Sequence, residues 1–332
     1  MAERTPRLGF LGVGWIGRQR MEAVARAGAA SVAAIADPDR RAAEAAAAAV
    51  GGAEVCSGLR ELLARELDGL VIATPTALHA AQAQAALEHG LPVFCQKPLA
   101  RTAGECTQVI EFARRVNVRL SVDLSYRHLA AVQAALRALE QGRIGRPHAA
   151  ELIFHNAYGP DKPWVRQVEL AGGGALTDLG WHLIDLARLF LGPLRARSLH
   201  ADLYALGRRL EPNPDQVEDL ALAQITLTDG RALRIACSWW LSAGCDAVIE
   251  ASFYGAEAAL RIRNRDGSFY DFEALLVEGR RVTRLAEPPD EWGGRALIAW
   301  AQQIAADPSF DPEVERLLET AALIDAIYGR TA

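Results

Sequence analysis

The chain has 332 residues, 51% of them hydrophobic and 23% charged, with a formal net charge of −5. This composition describes a globular protein of about two domains with ample core. It offers no basic footprint for nucleic acid or an anionic membrane, no apolar run of membrane-spanning length, and five scattered cysteines without a Cys-x-x-Cys pair, so neither a zinc site nor a disulfide framework is expected.

Residues 1–6 are too short and too polar for a signal peptide, and a strand follows at once, so a cytoplasmic protein with reduced thiols is expected. Leu8–Leu11 reads as a short buried strand. Gly12-Val13-Gly14-Trp15-Ile16-Gly17 comes next and leads into a helix, Ile16–Ala27, stopped by Gly28. A second strand, Ser31–Ala36, closes on Asp37. The glycines have distinct physical roles. Gly12 permits the tight turn, Gly14 lets backbone approach a pyrophosphate, and Gly17 lets helix and strand pack closely. The first amides of the helix, with Trp15 and Ile16 at its start, would face the phosphates, whose charge the helix dipole favours. Asp37 lies about 20 residues past Gly17, where a carboxylate accepts hydrogen bonds from an adenosine ribose. A dinucleotide is the expected ligand. S-adenosylmethionine, or a glycine turn with no ligand, are the alternatives.

Pro38 and a helix over Asp39–Val50 follow. Arg40 and Arg41 could neutralise a 2′-phosphate, but Asp37 would repel it, so NAD is expected and NADP is the alternative. Then come a strand at Ala53–Cys56, a helix at Leu59–Glu66 and a buried strand at Gly69–Ala73. That strand runs into Thr74-Pro75-Thr76, on the side where open α/β sheets bind ligands. His79 opens the helix Ala77–His89, either as a helix-start residue or as a cofactor contact. The strand Leu91–Cys95 ends in Gln96-Lys97-Pro98. A lysine at the carboxyl end of a parallel strand points into the ligand crevice and can bind a substrate hydroxyl and assist its proton. A surface lysine in a βα loop is the bland reading. The proline fixes the local turn and is compatible with a cis peptide. Thr102–Asn117 reads as a helix with a capping pair, Thr102 and Glu105, and Arg119–Asp123 as the last strand.

Residues 1–124 therefore read as a Rossmann-type, doubly wound parallel sheet. Arg127 and His128 start a linking helix, Leu129–Gln141, stopped by Gly142 and Gly145. His148–Phe154 is a strand, and His155–Gly174 is a long irregular stretch of the kind that is usually functional. Its Tyr158 and Trp164 could wall a polar ligand or only pin the loop. Gly172-Gly173-Gly174 opens a helix running to Leu191. On it Asp178 and His182 fall four apart on one face, with Asp185 near that face. The pair could be an acid/base unit, a helix-stabilising contact, or part of a metal site for which no further ligands cluster. Six β-leaning runs follow, Ala196–Leu206, Val217–Thr226, Ala232–Trp240, Ala247–Phe253, Ala258–Ile262 and Glu273–Val277, and then helices at Trp292–Ala306 and Pro312–Tyr328. Residues 125–332 thus read as an α+β domain with a large, open, mostly antiparallel sheet. Trp239 and Trp240 would point to opposite faces of that sheet, and one face could join copies of the chain.

Taken together, Gly12-x-Gly14-x-x-Gly17, Ala73-Thr74-Pro75-Thr76-x-x-His79, Gln96-Lys97-Pro98, Tyr126-Arg127 and Gly172-Gly173-Gly174-x-x-x-Asp178-x-Gly180-x-His182-x-x-Asp185 resemble the glucose-fructose oxidoreductase / inositol dehydrogenase / MocA-like (Gfo/Idh/MocA) oxidoreductases over nearly the whole chain. The resemblance implies NAD(P)-dependent oxidation of a hydroxyl on a sugar, inositol or related polyol, or the reverse ketone reduction. By it Lys97 binds the reacting hydroxyl, His182 moves its proton, and Asp178 binds substrate and tunes the histidine. Arg127, Asn156 and Trp164 are expected as further substrate contacts, and Thr74, Pro75, Thr76, His79, Gln96 and Lys97 as cofactor contacts. No metal is implied. A homodimer or homotetramer through the second sheet is expected. The family's usual Glu-Lys-Pro is Gln96-Lys97-Pro98 here, which removes a charge beside Lys97. Two other outcomes stay open: a dinucleotide-binding sensor without turnover, and a redox-neutral enzyme that recycles a tightly bound nicotinamide.

Overall fold

The computed structural model describes residues 5–330. Residues 1–4, on which most of the signal-peptide reading rests, lie outside the described residues. Two compact units emerge: Met1–Ser125 with Gly293–Arg316, and Tyr126–Trp292 with Leu317–Ala332.

In the first unit six strands form one parallel sheet: β1 (Arg7–Leu11), β2 (Ser31–Ala36), β3 (Glu54–Cys56), β4 (Gly69–Ile72), β5 (Val93–Cys95) and β6 (Leu120–Val122). Their order is β3-β2-β1-β4-β5-β6. The order reverses between β1 and β4, and ligands bind at the carboxyl ends of strands beside such a switch point. Leu8, Phe10, Leu70, Ile72, Val93 and Cys95 are all buried, as strands covered on both faces require. Helices α1 (Trp15–Arg26), α2 (Arg40–Ala49), α3 (Leu59–Leu63), α4 (Thr76–Glu88) and α5 (Ala103–Val116) make the crossovers. Asp39 caps α2 by accepting the amides of Arg41 and Ala42. Thr102 caps α5 by accepting the Glu105 amide, and Asn117 ends that helix in the left-handed conformation.

The second unit holds a nine-stranded sheet: β7 (Pro147–Asn156), β8 (Ala196–Ala205), β9 (Arg208–Arg209), β10 (Leu220–Leu227), β11 (Ala232–Ser238), β12 (Ala247–Gly255), β13 (Ala259–Asn264), β14 (Phe272–Glu278) and β15 (Arg281–Ala286). The order is β15-β14-β13-β12-β7-β11-β10-β8-β9, antiparallel except for β7 beside β11. Period-two alternation sends Leu152, Phe154, Leu233, Ile235, Ile249 and Phe253 to a buried face. Helices α6 (Ala130–Glu140), α7 (Val168–Ala171) and α8 (Trp181–Leu191) belong to this unit, and α8 packs on the sheet through Phe190 stacked on Phe253 at 4.1 Å. The other face carries cross-strand ion pairs, Arg234–Glu151, Arg261–Glu250 and Arg263–Glu273. The chain ends with α9 (Arg295–Ala306) and α10 (Leu317–Tyr328).

Four expectations are corrected. The division at residue 124 leaves 125–332 as one run, whereas α9 belongs to the first unit. Its Leu297, Trp300, Ala301 and Ile304 join the core of Leu8, Phe10, Met21, Val71 and Phe94, with Trp300 against Phe94 at 5.5 Å. The helix expected from Gly172 to Leu191 starts at Ala175 and is not α throughout. Here α7 ends on left-handed Gly172, a π turn spans Leu176–Gly180, and only then does α8 begin. The strand expected to reach Trp240 stops at Ser238: Trp239 turns inward and is buried, while Trp240 takes φ +58°. The two tryptophans therefore do not mark opposite faces of a strand. Finally, β15 was not expected, because Arg281 to Ala286 alternates poorly and lies at the sheet edge.

Candidate active site

Each unit holds a cluster of its own. In the first unit, β1 delivers the chain to the glycine turn. Gly12 takes φ +90°, and a side chain there would meet the Ala73 carbonyl oxygen at 2.5 Å. At Gly17 a side chain would lie 2.3 Å from the Gly12 carbonyl oxygen, whereas the space before Gly14 is open. Such a cradle, closed behind and open in front, fits a pyrophosphate seated on the first turn of α1. Trp15 stands there 65% exposed, and Ile16 is partly buried behind it. Asp37 accepts the Val13 amide at 2.8 Å and the Asp39 amide at 2.9 Å. Both carboxylate oxygens are thus fixed beside the turn and keep lone pairs for ribose hydroxyls.

At the ends of β4 and β5 two loops are tied by one imidazole. His79 is 1% exposed, with Nε2 at 2.7 Å from the Thr74 carbonyl and Nδ1 at 2.8 Å from the Pro98 carbonyl. Expected as a cofactor contact or a helix-start residue, His79 is buried with both ring nitrogens facing these loops. Thr74 donates its hydroxyl to Gln82 at 2.6 Å, Pro75 precedes α4 and Thr76 opens it, buried. Burial pushes the His79 imidazole below its ordinary value, against the pull of both carbonyls. Carbonyl oxygens only accept, so the neutral ring donates to one of the two and the charged ring to both.

The Lys97–Pro98 peptide is cis, and Lys97 is partly buried at the carboxyl end of β5. Gln96, buried, donates its side-chain amide to Asp123 Oδ2. Arg20 donates Nε to the same oxygen at 2.6 Å, and both charged side chains are almost wholly buried. Neither Arg20 nor Asp123 was singled out in the sequence: Arg20 lies beside Arg18, Gln19 and Glu22, and Asp123 only closes the last strand. Gln96 is thereby matched in charge to its buried neighbour. With Asp123 already a buried carboxylate, an amide donor at 96 satisfies it where a second carboxylate would repel it. Elsewhere in the unit Glu54, Cys56 and Glu61 come together. Arg65 pairs with both carboxylates, at 2.5 and 2.8 Å, and burial holds the thiol protonated.

In the second unit His182 opens α8, 8% exposed, with its ring 4.5 Å from that of Tyr126. Tyr126 also meets Phe154, Phe272 and Trp292, and burial pushes its phenol well above the ordinary value. Asp178 lies on the π turn, so a wider turn than the plain α-helix expected separates it from His182. Its Oδ2 accepts the indole N–H of Trp239 at 3.2 Å. Trp239 is thus a site residue the sequence reading missed; its place beyond a strand end carried no periodic signal.

Arg127, expected to touch substrate, is engaged by Asp185 through Nε at 2.8 Å and Nη2 at 2.5 Å. This fork joins the turn Ser125–His128 to α8 and locks Tyr126 beside His182. Asn156 ends β7, and its side-chain oxygen is buried without a hydrogen-bond partner among the described residues. Trp164 lies partly buried on a 3-10 turn, Pro163–Arg166. That loop is pinned by Trp240, which fills the space a side chain at Gly159 would take and lies under Arg166 at 5.3 Å.

Comparison with known proteins gives consistent results. Residues 7–124 match the family model described as "Oxidoreductase family, NAD-binding Rossmann fold", and residues 132–261 match the "GFO/IDH/MocA C-terminal domain". A levoglucosan dehydrogenase of Pseudarthrobacter phenanthrenivorans is 39% identical over 133 residues, which is 38% of this chain and only 33% of that protein. A D-apiose dehydrogenase of Paraburkholderia graminis is 27% identical over 301 residues, 88% of this chain and 74% of the relative. A levoglucosan dehydrogenase solved with NADH and levoglucosan shares the fold with a TM-score of 0.85 at 24% identity, covering 98% of this chain and 97% of that one.

Proposed function

This chain belongs to the Gfo/Idh/MocA oxidoreductase family and carries its NAD-binding Rossmann fold; on that premise we propose that it oxidises a hydroxyl of a sugar, inositol or related polyol, or reduces the matching ketone. The observation that carries this reading lies in the first unit. A dinucleotide cradle with Asp37 beside it shares one sheet edge with Lys97, at the strand ends where such sheets hold ligands. When bound, nicotinamide supplies the hydride chemistry. Lys97 holds the reacting hydroxyl and eases its proton away, and His182 receives or returns that proton. Asp178, steadied by Trp239, contacts substrate and orients the imidazole. Asn156 offers its unsatisfied oxygen to a second hydroxyl, while Trp164 supplies a partly buried wall.

Five free thiols, four of them buried, support a reducing compartment such as the cytoplasm, and no helix of the described residues is long and apolar enough to cross a membrane. Self-association is assigned to the ion-paired face of the nine-stranded sheet, which also exposes Leu222.

The test is absorbance of reduced nicotinamide with NAD or NADP across a panel of aldoses, inositols and sugar acids. Turnover with one of them is expected. Nucleotide binding without turnover would favour a sensor. Protein that purifies with nucleotide and releases no NADH would favour a redox-neutral enzyme. In the same assay Asp37→Ala should weaken NAD about tenfold and NADP much less, the worth of one charge-assisted hydrogen bond. An equal loss for both would take Asp37 away from the ribose.

A further inference from the structure

A carboxylate with no exposed surface lies under the π turn, and the reaction as described does not use it. Glu218 stands two residues before β10 and is 0% exposed. Its Oε2 accepts the Gly174 amide at 2.9 Å, and its Oε1 accepts the Leu176 amide at 2.8 Å and the Tyr328 hydroxyl at 2.9 Å. Its backbone carbonyl accepts the Ala175 amide at 3.0 Å. One residue therefore satisfies three successive amides at the start of this helical stretch, groups that otherwise lack partners.

Tyr328, from α10, completes the set. Having donated its proton to Glu218, its oxygen accepts the Gly174 amide at 3.1 Å and the Thr177 hydroxyl at 3.0 Å. Arg330 covers the Tyr328 ring at 4.2 Å and donates to the Gly172 carbonyl. There is no slack: a side chain at Gly174 would meet the Glu218 carbonyl oxygen at 1.9 Å. The neighbouring residue acts on Asp178 from the other side. The Asp219 carbonyl accepts the Trp239 amide at 2.8 Å, and the Trp239 indole holds the Asp178 carboxylate. Asp178 is thereby fixed at its backbone, through Asp178 N–H to the Gly174 carbonyl at 2.9 Å, and at its side chain.

We propose that Glu218 and Tyr328 are positioning residues that build the π turn Leu176–Gly180 and so set the direction in which Asp178 and His182 are presented. A fully buried carboxylate is a costly cap for a turn. It is suited here because only a carboxylate offers acceptors on both oxygens; a glutamine at 218 would aim an NH₂ group at one of the two amides. Burial also raises the Glu218 carboxyl above its ordinary value, and the two amides and the Tyr328 hydroxyl oppose that shift. Wide helical turns of this kind are frequent at functional sites.

The inference rests on the proposed role of His182, and its test is built to fail separately from that role. Tyr328→Phe keeps the ring and removes the hydroxyl. In the full chain it should shift the imidazole NMR resonances of His182, assigned with His182→Ala. It should also lower kcat about 10- to 100-fold with KM nearly unchanged, the loss a displaced reacting group gives. Thr177→Val, which removes one partner of the same hydroxyl, should do so in smaller measure and serves if Tyr328→Phe does not fold. Folded variants with wild-type His182 resonances overturn the proposal, whatever the substrate panel gives. Shifted resonances support it even if the wild type turns over no sugar.

Discussion

Lys97→Met lowers turnover by about 10²- to 10⁴-fold, the range for loss of a group that binds and transfers protons in the transition state, while NAD binding stays within a few fold. The reason is that side chain and loop are separable. The loop around Lys97 is held by atoms that the substitution leaves in place: the Gln96 amide on the Ile72 carbonyl at 2.8 Å, and the Pro98 carbonyl on His79 at 2.8 Å. Methionine keeps the length and apolar bulk of the lysine stem and removes only the ammonium. Quenching of protein fluorescence by NADH reads binding, and initial rates with the substrate found in the panel read turnover. A variant with near-wild-type rate would end the assignment of Lys97 to the reaction. Loss of NADH binding in the same proportion as rate would make Lys97 a cofactor ligand instead.

Gln96→Glu, the change that restores the residue usual in the family, should destabilise this chain by about 3 kcal/mol or more, the scale of an uncompensated buried charge. The reason is local. Asp123 Oδ2 receives both Gln96 and Arg20, and neither carboxylate would have water to share its charge. Placed in an Asp123→Asn background the same change should be far milder, because the asparagine can donate and Arg20 gains the new carboxylate. A double-mutant cycle by denaturant unfolding should give a coupling of at least about 1.5 kcal/mol between positions 96 and 123. Additive effects would show that the buried amide-to-carboxylate contact is not why glutamine stands here.

Much of this molecule was legible because its signals are local. Strand, glycine turn, helix, strand and Asp37 lie close together in sequence, and the structure sets Asp37 on the Val13 amide. The place of Lys97 just beyond a strand end was readable from the apolar run before it and the proline after it. What could not be read depends on partners distant in sequence. Gln96 meets Asp123 and Arg20 across the sheet, and Tyr328 lies 151 residues from Thr177, whose hydroxyl it accepts. The run from Gly172 to Leu191 reads as a helix opened by three glycines, and its π turn is imposed by Glu218 from outside the helix. Trp239 and Trp240 read as strand residues until a positive φ at Trp240 turns the chain. Nothing in the apolar face of α9 says which of two cores it will enter.

That last point bears on how the protein is made. The strands and crossover helices of the first unit precede the second unit in the chain, yet its core lacks Leu297, Trp300 and Ile304 until the second unit's sheet has been synthesised. Domains usually fold in the order of their synthesis. Here the unit whose strands are translated first is completed after the other unit's sheet, and the Phe94 ring waits about 200 residues for Trp300. A fragment ending at Ser125 would carry every glycine of the nucleotide cradle and still leave that part of its core uncovered.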